Sequence, residues 1–157
     1  MNKIFYCCCL LLSLSCGSRD GRLSEEEKSA VVSEVKLMFQ NYFDAIRNEG
    51  LVGEFKYLDH SSDFFWVPPG YKSPLSYDSI AKILNLNAPK FTSIENSFDS
   101  LRIIPLSSDL ASYTAKIRSI MTDTSGTINS IQLIETGVVV RRNTVWKLSH
   151  GQTSLVD

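Results

Sequence analysis

The sequence predicts an α+β domain, with helices first and a long antiparallel sheet after them. Three observations carry that prediction. Apolar residues recur at helical spacing from Val31 to Ile46 and again from Ile80 to Leu84. From Phe91 onward the apolar positions alternate with polar ones at period two. All four cysteines lie within the first sixteen residues, so the remaining domain must be held by packing and not by disulfides. With 157 residues and 43% apolar side chains, the chain can form one core of ordinary size.

Each element has its own signal. Ser24 and Glu27 have capping-box spacing, and Gly50 closes the helix that follows. Val31, Val35, Met38, Phe39, Tyr42, Phe43 and Ile46 form its apolar face. A face that wide needs a curved sheet to cover it. A second helix is expected over residues 51–58, with Leu51, Phe55 and Leu58 on one side. Residues 63–67 have strand composition, and Pro68, Pro69 and Gly70 stop the strand. Ser76 caps a third helix carrying Ile80, Ile83 and Leu84, which closes before Pro89.

The sheet is then read in sequence. Leu101 and Ile103 alternate before Pro105, and a turn follows at Ser107, Ser108 and Asp109. Ala111, Tyr113, Ala115 and Ile117 share one phase of the next strand. Residues 123–127 turn the chain, residues 128–142 form a long strand, Asn143 and Thr144 turn again, and residues 145–154 form the last strand. The expectation is three N-terminal helices packed in a strongly curved mixed or antiparallel sheet.

The N-terminus reads as an address. Lys3 is followed by a nearly continuous apolar run over residues 4–14, a length that fits a signal peptide and is too short for a spanning helix. Ser15 and Cys16 then meet the polar Gly17, Ser18, Arg19 and Asp20. This resembles a bacterial lipoprotein signal, in which Cys16 becomes the lipidated first residue. Ser13 stands where such signals carry leucine. The expected organisation is a signal peptide over residues 1–15, a tether over 16–23 and the domain over 24–157. The resemblance implies export and attachment to the cell envelope through the Cys16 lipid alone.

Taken together, several segments resemble the nuclear transport factor 2-like superfamily in its SnoaL-like branch. They are residues 39–50, 63–67, 76–80, 107–111 and 146–154, in the family's order. The resemblance implies a cystatin-like cone, in which a bent sheet wraps the helices and the open end is a pocket. It also implies pairing of two copies through the sheet.

Ketosteroid isomerases of that superfamily use a tyrosine late in the first helix, a base near the end of the first strand and a protonated acid on a later strand. Tyr42 matches the first role. The base position falls on Trp66 or Val67, and Asp63 points to the opposite face from Trp66. Glu135 is the nearest acid for the third role, one or two residues away. With one role of three filled, isomerase chemistry is not expected.

Tyr42, Trp66, Tyr113, His150 and Gln152 are the candidate ligand-binding residues, and His150 and Glu135 are the candidate catalytic ones. His150 shares a nominal phase with Trp146, Leu148, Gln152 and Ser154. Facing the cavity it would bond a ligand or act as a base; otherwise it is a structural histidine bonded to a neighbour. Tyr42, Trp66 and Tyr113 could equally be core aromatics. Glu135 is in phase with Ile131, Leu133 and Val139, so it is either buried with a raised pKa, or at a solvated edge, or paired with Arg118 or Arg141.

No phosphate loop, zinc-protease motif or nucleophile elbow is present, and adjacent Asp59, His60 and Ser61 cannot form a triad. Two separated histidines and a cysteine-free domain leave no metal site or cofactor to expect. The balance of 16 basic and 17 acidic side chains gives no basis for a nucleic-acid role. Three functions remain: an envelope-anchored protein binding a small apolar ligand without catalysis; a hydrolase, isomerase or dehydratase-like enzyme using His150 or Glu135; or a dimeric interaction module.

Overall fold

The computed structural model describes residues 22–156. The signal segment and Cys16 lie outside the described residues. Helix α1 spans Glu25–Glu49 and α2 spans Tyr77–Asn87. The strands are β1, Phe65–Val67; β2, Phe91–Ser107; β3, Leu110–Asp123; β4, Ile128–Arg142; and β5, Val145–Leu155. They form one curved sheet in the order β1-β5-β4-β3-β2, with β1 parallel to β5 and every other pair antiparallel.

The helix signals act as their chemistry dictates. The Ser24 hydroxyl accepts from the Glu27 amide at 3.2 Å, and the Glu27 carboxylate accepts from the Ser24 amide at 2.8 Å. Ser76 caps α2 from one side only, its hydroxyl accepting from the Ser79 amide. The expected helix over residues 51–58 is a correction: the described residues form two α-helices, and this segment is a 3-10 helix, Gly50–Lys56. The physical reason is contact. A Cβ on Gly53 would stand 2.5 Å from the Ala45 carbonyl oxygen, so the segment lies directly against the α1 backbone.

The buried face of α1 packs on the inner face of the sheet. Phe39 sits at the centre, its ring 4.7 Å from Tyr113 and 5.5 Å from Phe98, both edge-on. Val35, Phe39, Tyr113, Val139 and Leu148 are almost fully enclosed. Pro105 is tolerated because β2 is an edge strand, and the register shifts beside it.

Two ion-pair clusters fasten the β4–β5 hairpin. Arg142 donates from Nη2 to the buried Asp59 carboxylate at 2.7 Å, and Ser61 donates to it at 2.8 Å. Burial raises the Asp59 carboxyl, but the Arg142 and Ser61 hydrogen bonds and the Arg142 charge outweigh it, and its pKa is lowered. Asp59, His60 and Ser61 are thus a structural loop. On the other side Arg141 pairs with Glu34 and Asp109 and lies over the Trp146 ring.

Candidate functional site

The sheet, α1, the 3-10 helix and α2 line a partly open cavity of about 260 Å³. Its wall is mainly carbon, including Phe43, Phe64, Ile80, Leu84, Ile117 and Leu148. Into this wall are set a few polar side chains: Tyr42, Glu54, Asn96, Ser119, Glu135 and Thr153.

Trp66 owes its place to two missing side chains. It pairs with Gly151, which faces Gly137 on β4. A Cβ on Gly151 would stand 2.8 Å from the Trp66 ring, and one on Gly137 would stand 3.2 Å from it. The glycine pair therefore lets the indole lie flat on the inner face of the sheet. The Trp66 Nε1–H donates to Thr153 Oγ1 at 3.0 Å, and Thr153 donates to Glu135 Oε2 at 3.0 Å. The Tyr113 hydroxyl donates to Glu135 Oε1 at 2.7 Å. Glu135 is buried and pairs with neither Arg118 nor Arg141, which bond Asp99 and Glu34 instead. Burial pushes its carboxyl up, opposed by the Tyr113 and Thr153 hydrogen bonds.

A second, partly buried acid faces the same space. The Tyr42 hydroxyl donates to Glu54 Oε2 at 2.9 Å. Burial pushes Glu54 up to about 7; the Tyr42 hydrogen bond opposes the rise and the Glu135 charge adds to it. Both tyrosines are raised well above their ordinary range, first by burial and then by the neighbouring carboxylates.

Of the residues singled out from sequence, Tyr42, Trp66 and Glu135 line the cavity. Tyr113 stands behind it, packed on Phe39 and holding Glu135. His150 and Gln152 are a correction: they lie on the outer face of the sheet. A β-bulge is the cause. Val138 pairs with His150 and Val139 pairs with Leu148, so Ser149 is the extra residue of β5. Trp146 and Leu148 point inward before the bulge, whereas Gly151 and Thr153 do so after it. His150 stacks on Phe65 at 5.0 Å between ring centres, outside the cavity.

Of the polar lining residues, sequence reasoning missed Glu54, Asn96, Ser119 and Thr153, and Glu54 is the acid among them. It stands three places after Leu51, inside the Leu51, Phe55 and Leu58 stripe. An acid on an apolar stripe was the available signal. Among the described residues, no group of three or more potential ligands stands close enough to hold a metal ion.

An α+β sheet wrapped on one long helix, with an apolar cavity between them, defines a pocket-forming class of protein. The family model of the SnoaL-like domain matches residues 35–157, and the chain belongs to that family. No match was found among curated protein sequences. Solved structures are similar in fold. A candidate scytalone dehydratase from Novosphingobium aromaticivorans DSM 12444 is 12% identical, with TM-score 0.75, covering 85% of this chain and 89% of that one. A nuclear transport factor 2-like superfamily protein from Salmonella enterica serovar Typhimurium LT2 is 16% identical, with TM-score 0.70 and coverage of 82% and 93%. A hexachlorocyclohexane dehydrochlorinase from Novosphingobium barchaimii LL02 is 14% identical, with TM-score 0.67 and coverage of 85% and 92%. At these identities the likeness establishes the fold alone.

Proposed function

We propose that the protein binds a small, mostly apolar molecule in the cavity, with one polar end of the ligand read by Glu54. The supporting observation is the cavity itself: carbon-lined, built on rigid elements, and carrying a few convergent polar groups. An apolar cavity of this size, open on one side to solvent, is large enough for a ring-sized molecule. In this reading the Cys16 lipid holds the domain at the cell envelope, and two copies pair through the outer face of the sheet.

Native mass spectrometry of protein purified from the envelope tests the reading. The expected spectrum is the chain plus one bound small molecule, lost when Leu133→Trp fills part of the cavity. Equal masses for the two proteins, after allowing for the substitution, would count against it.

A second reading, acid–base catalysis, is favoured by one observation. Glu54 is a carboxyl with a pKa near neutrality in an apolar wall, which is the condition for a general base. His150 takes no part, being outside the cavity, and both Glu135 oxygens already accept hydrogen bonds. Turnover of a neutral carbon acid, rising with one ionisation near pH 7 and abolished by Glu54→Gln, would establish it.

A further inference from the structure

The charge of the cavity wall selects among apolar ligands, and this inference rests on the binding reading above. We propose that the ligand is a small apolar amine, bound as its ammonium ion, with its hydrocarbon body against the carbon wall and its nitrogen on the Glu54 carboxylate.

Two carboxyls line the cavity, Glu54 and Glu135, whereas no lysine, arginine or histidine is among the lining residues. An anionic ligand would enter a low-dielectric space holding two acids and no counter-charge. A cationic one would meet the opposite sign.

The two acids are not equivalent. Thr153 accepts from the Trp66 indole, so its single hydrogen goes to Glu135, and Tyr113 donates to the other Glu135 oxygen. A carboxyl that accepts on both oxygens and donates on neither has the hydrogen-bond pattern of the ionised form. Both Glu135 oxygens are therefore already satisfied by the protein. Glu54 receives one hydrogen bond, from Tyr42 to Oε2. Among the described residues, none donates a hydrogen bond to its Oε1.

Among the described residues that line the cavity around Glu54, none carries a positive charge. From α1 it faces Tyr42, and from β4 it feels Glu135. Strand β2 presents Ile94 and Asn96, and α2 presents Ile80, Ile83 and Leu84. The rings of Tyr42, Phe43, Phe64 and Trp66 in the same wall supply the faces on which an ammonium group is stabilised. An acid in this position, held near neutrality by burial, is partly protonated at pH 7. An ammonium ion drives it to the carboxylate, so binding releases a proton. A neutral ligand does not.

The test uses three probes of one shape: cyclohexylmethylamine, cyclohexylmethanol and cyclohexanecarboxylate. Each is titrated calorimetrically into the folded protein near pH 7, in two buffers of different ionisation enthalpy. The amine is expected to bind at least tenfold more tightly than the alcohol and to release protons, and the carboxylate is expected not to bind. Glu54→Gln should bring the amine-to-alcohol ratio close to one and abolish the proton release. Equal binding of amine and alcohol by the wild-type protein, or preference for the carboxylate, would overturn the charge selection and leave the apolar cavity reading standing. Failure of all three probes would overturn the cavity reading itself. The wild-type comparison decides the matter even if the variant does not fold.

Discussion

At the scale of single residues, Glu54 makes stability depend on pH. Its carboxyl is raised from 4.5 to about 7 by burial, so between those values the folded chain holds more proton than the unfolded one. Stability is therefore greatest below this window and falls as pH rises through it. Glu135 is raised as well and adds in the same direction. Asp59 is lowered, so its contribution is present above its unfolded pKa and lost in acid, below the Glu54 window. The melting temperature should fall from about pH 5 to about pH 8, and Glu54→Gln should flatten that slope. An unchanged slope in a folded variant would show that Glu54 is not the titrating group. The two acids differ in how readable they were. Glu135 sits in a strand whose alternation exposes any misplaced charge. Glu54 is hidden because Leu51, Phe55 and Leu58 dominate the pattern of its segment, and a single charge between them reads as a solvated turn.

At the scale of elements, the site depends on two local irregularities. The 3-10 helix places Glu54 opposite Tyr42 because Gly53 lets its backbone touch α1. Gly53→Ala would push a methyl group into the Ala45 carbonyl. It should cost about 1–3 kcal/mol of stability, measured by denaturant unfolding, and should weaken ligand binding by moving Glu54. A variant of wild-type stability would mean that the contact is loose. The other irregularity is the Ser149 bulge. Strand periodicity places Trp146, Leu148, His150 and Gln152 on one face only if no residue is inserted, and a bulge has no composition that alternation can reveal. The helix caps were legible for the opposite reason. Ser24 with Glu27, and Ser76, act through neighbours a few residues away, so the local sequence contains the whole interaction. The strand order also exceeds local reading, since β1 joins the sheet by pairing with β5, some eighty residues further on.

At the scale of the whole molecule, the two faces of the sheet have different fates. The inner face is covered by α1 and the cavity. The outer face carries Phe65 and Ile134, which are 43% and 46% exposed. Beside them lie Val138 and the His150 ring, in a field of Thr114, Thr136, Gln152 and Ser154. Large apolar side chains at the middle of a mixed polar face fit a self-complementary contact between two copies. Light scattering should then give a mass of twice the chain. Ile134→Lys, which places a second ammonium beside Lys116 of the neighbouring strand, should halve that mass and lower the melting temperature of the isolated chain only slightly. The cavity lies on the other side of the sheet, so the variant should still bind the amine probe. A wild-type protein that remains a single chain at high concentration would refute the pairing and leave the outer face to another partner.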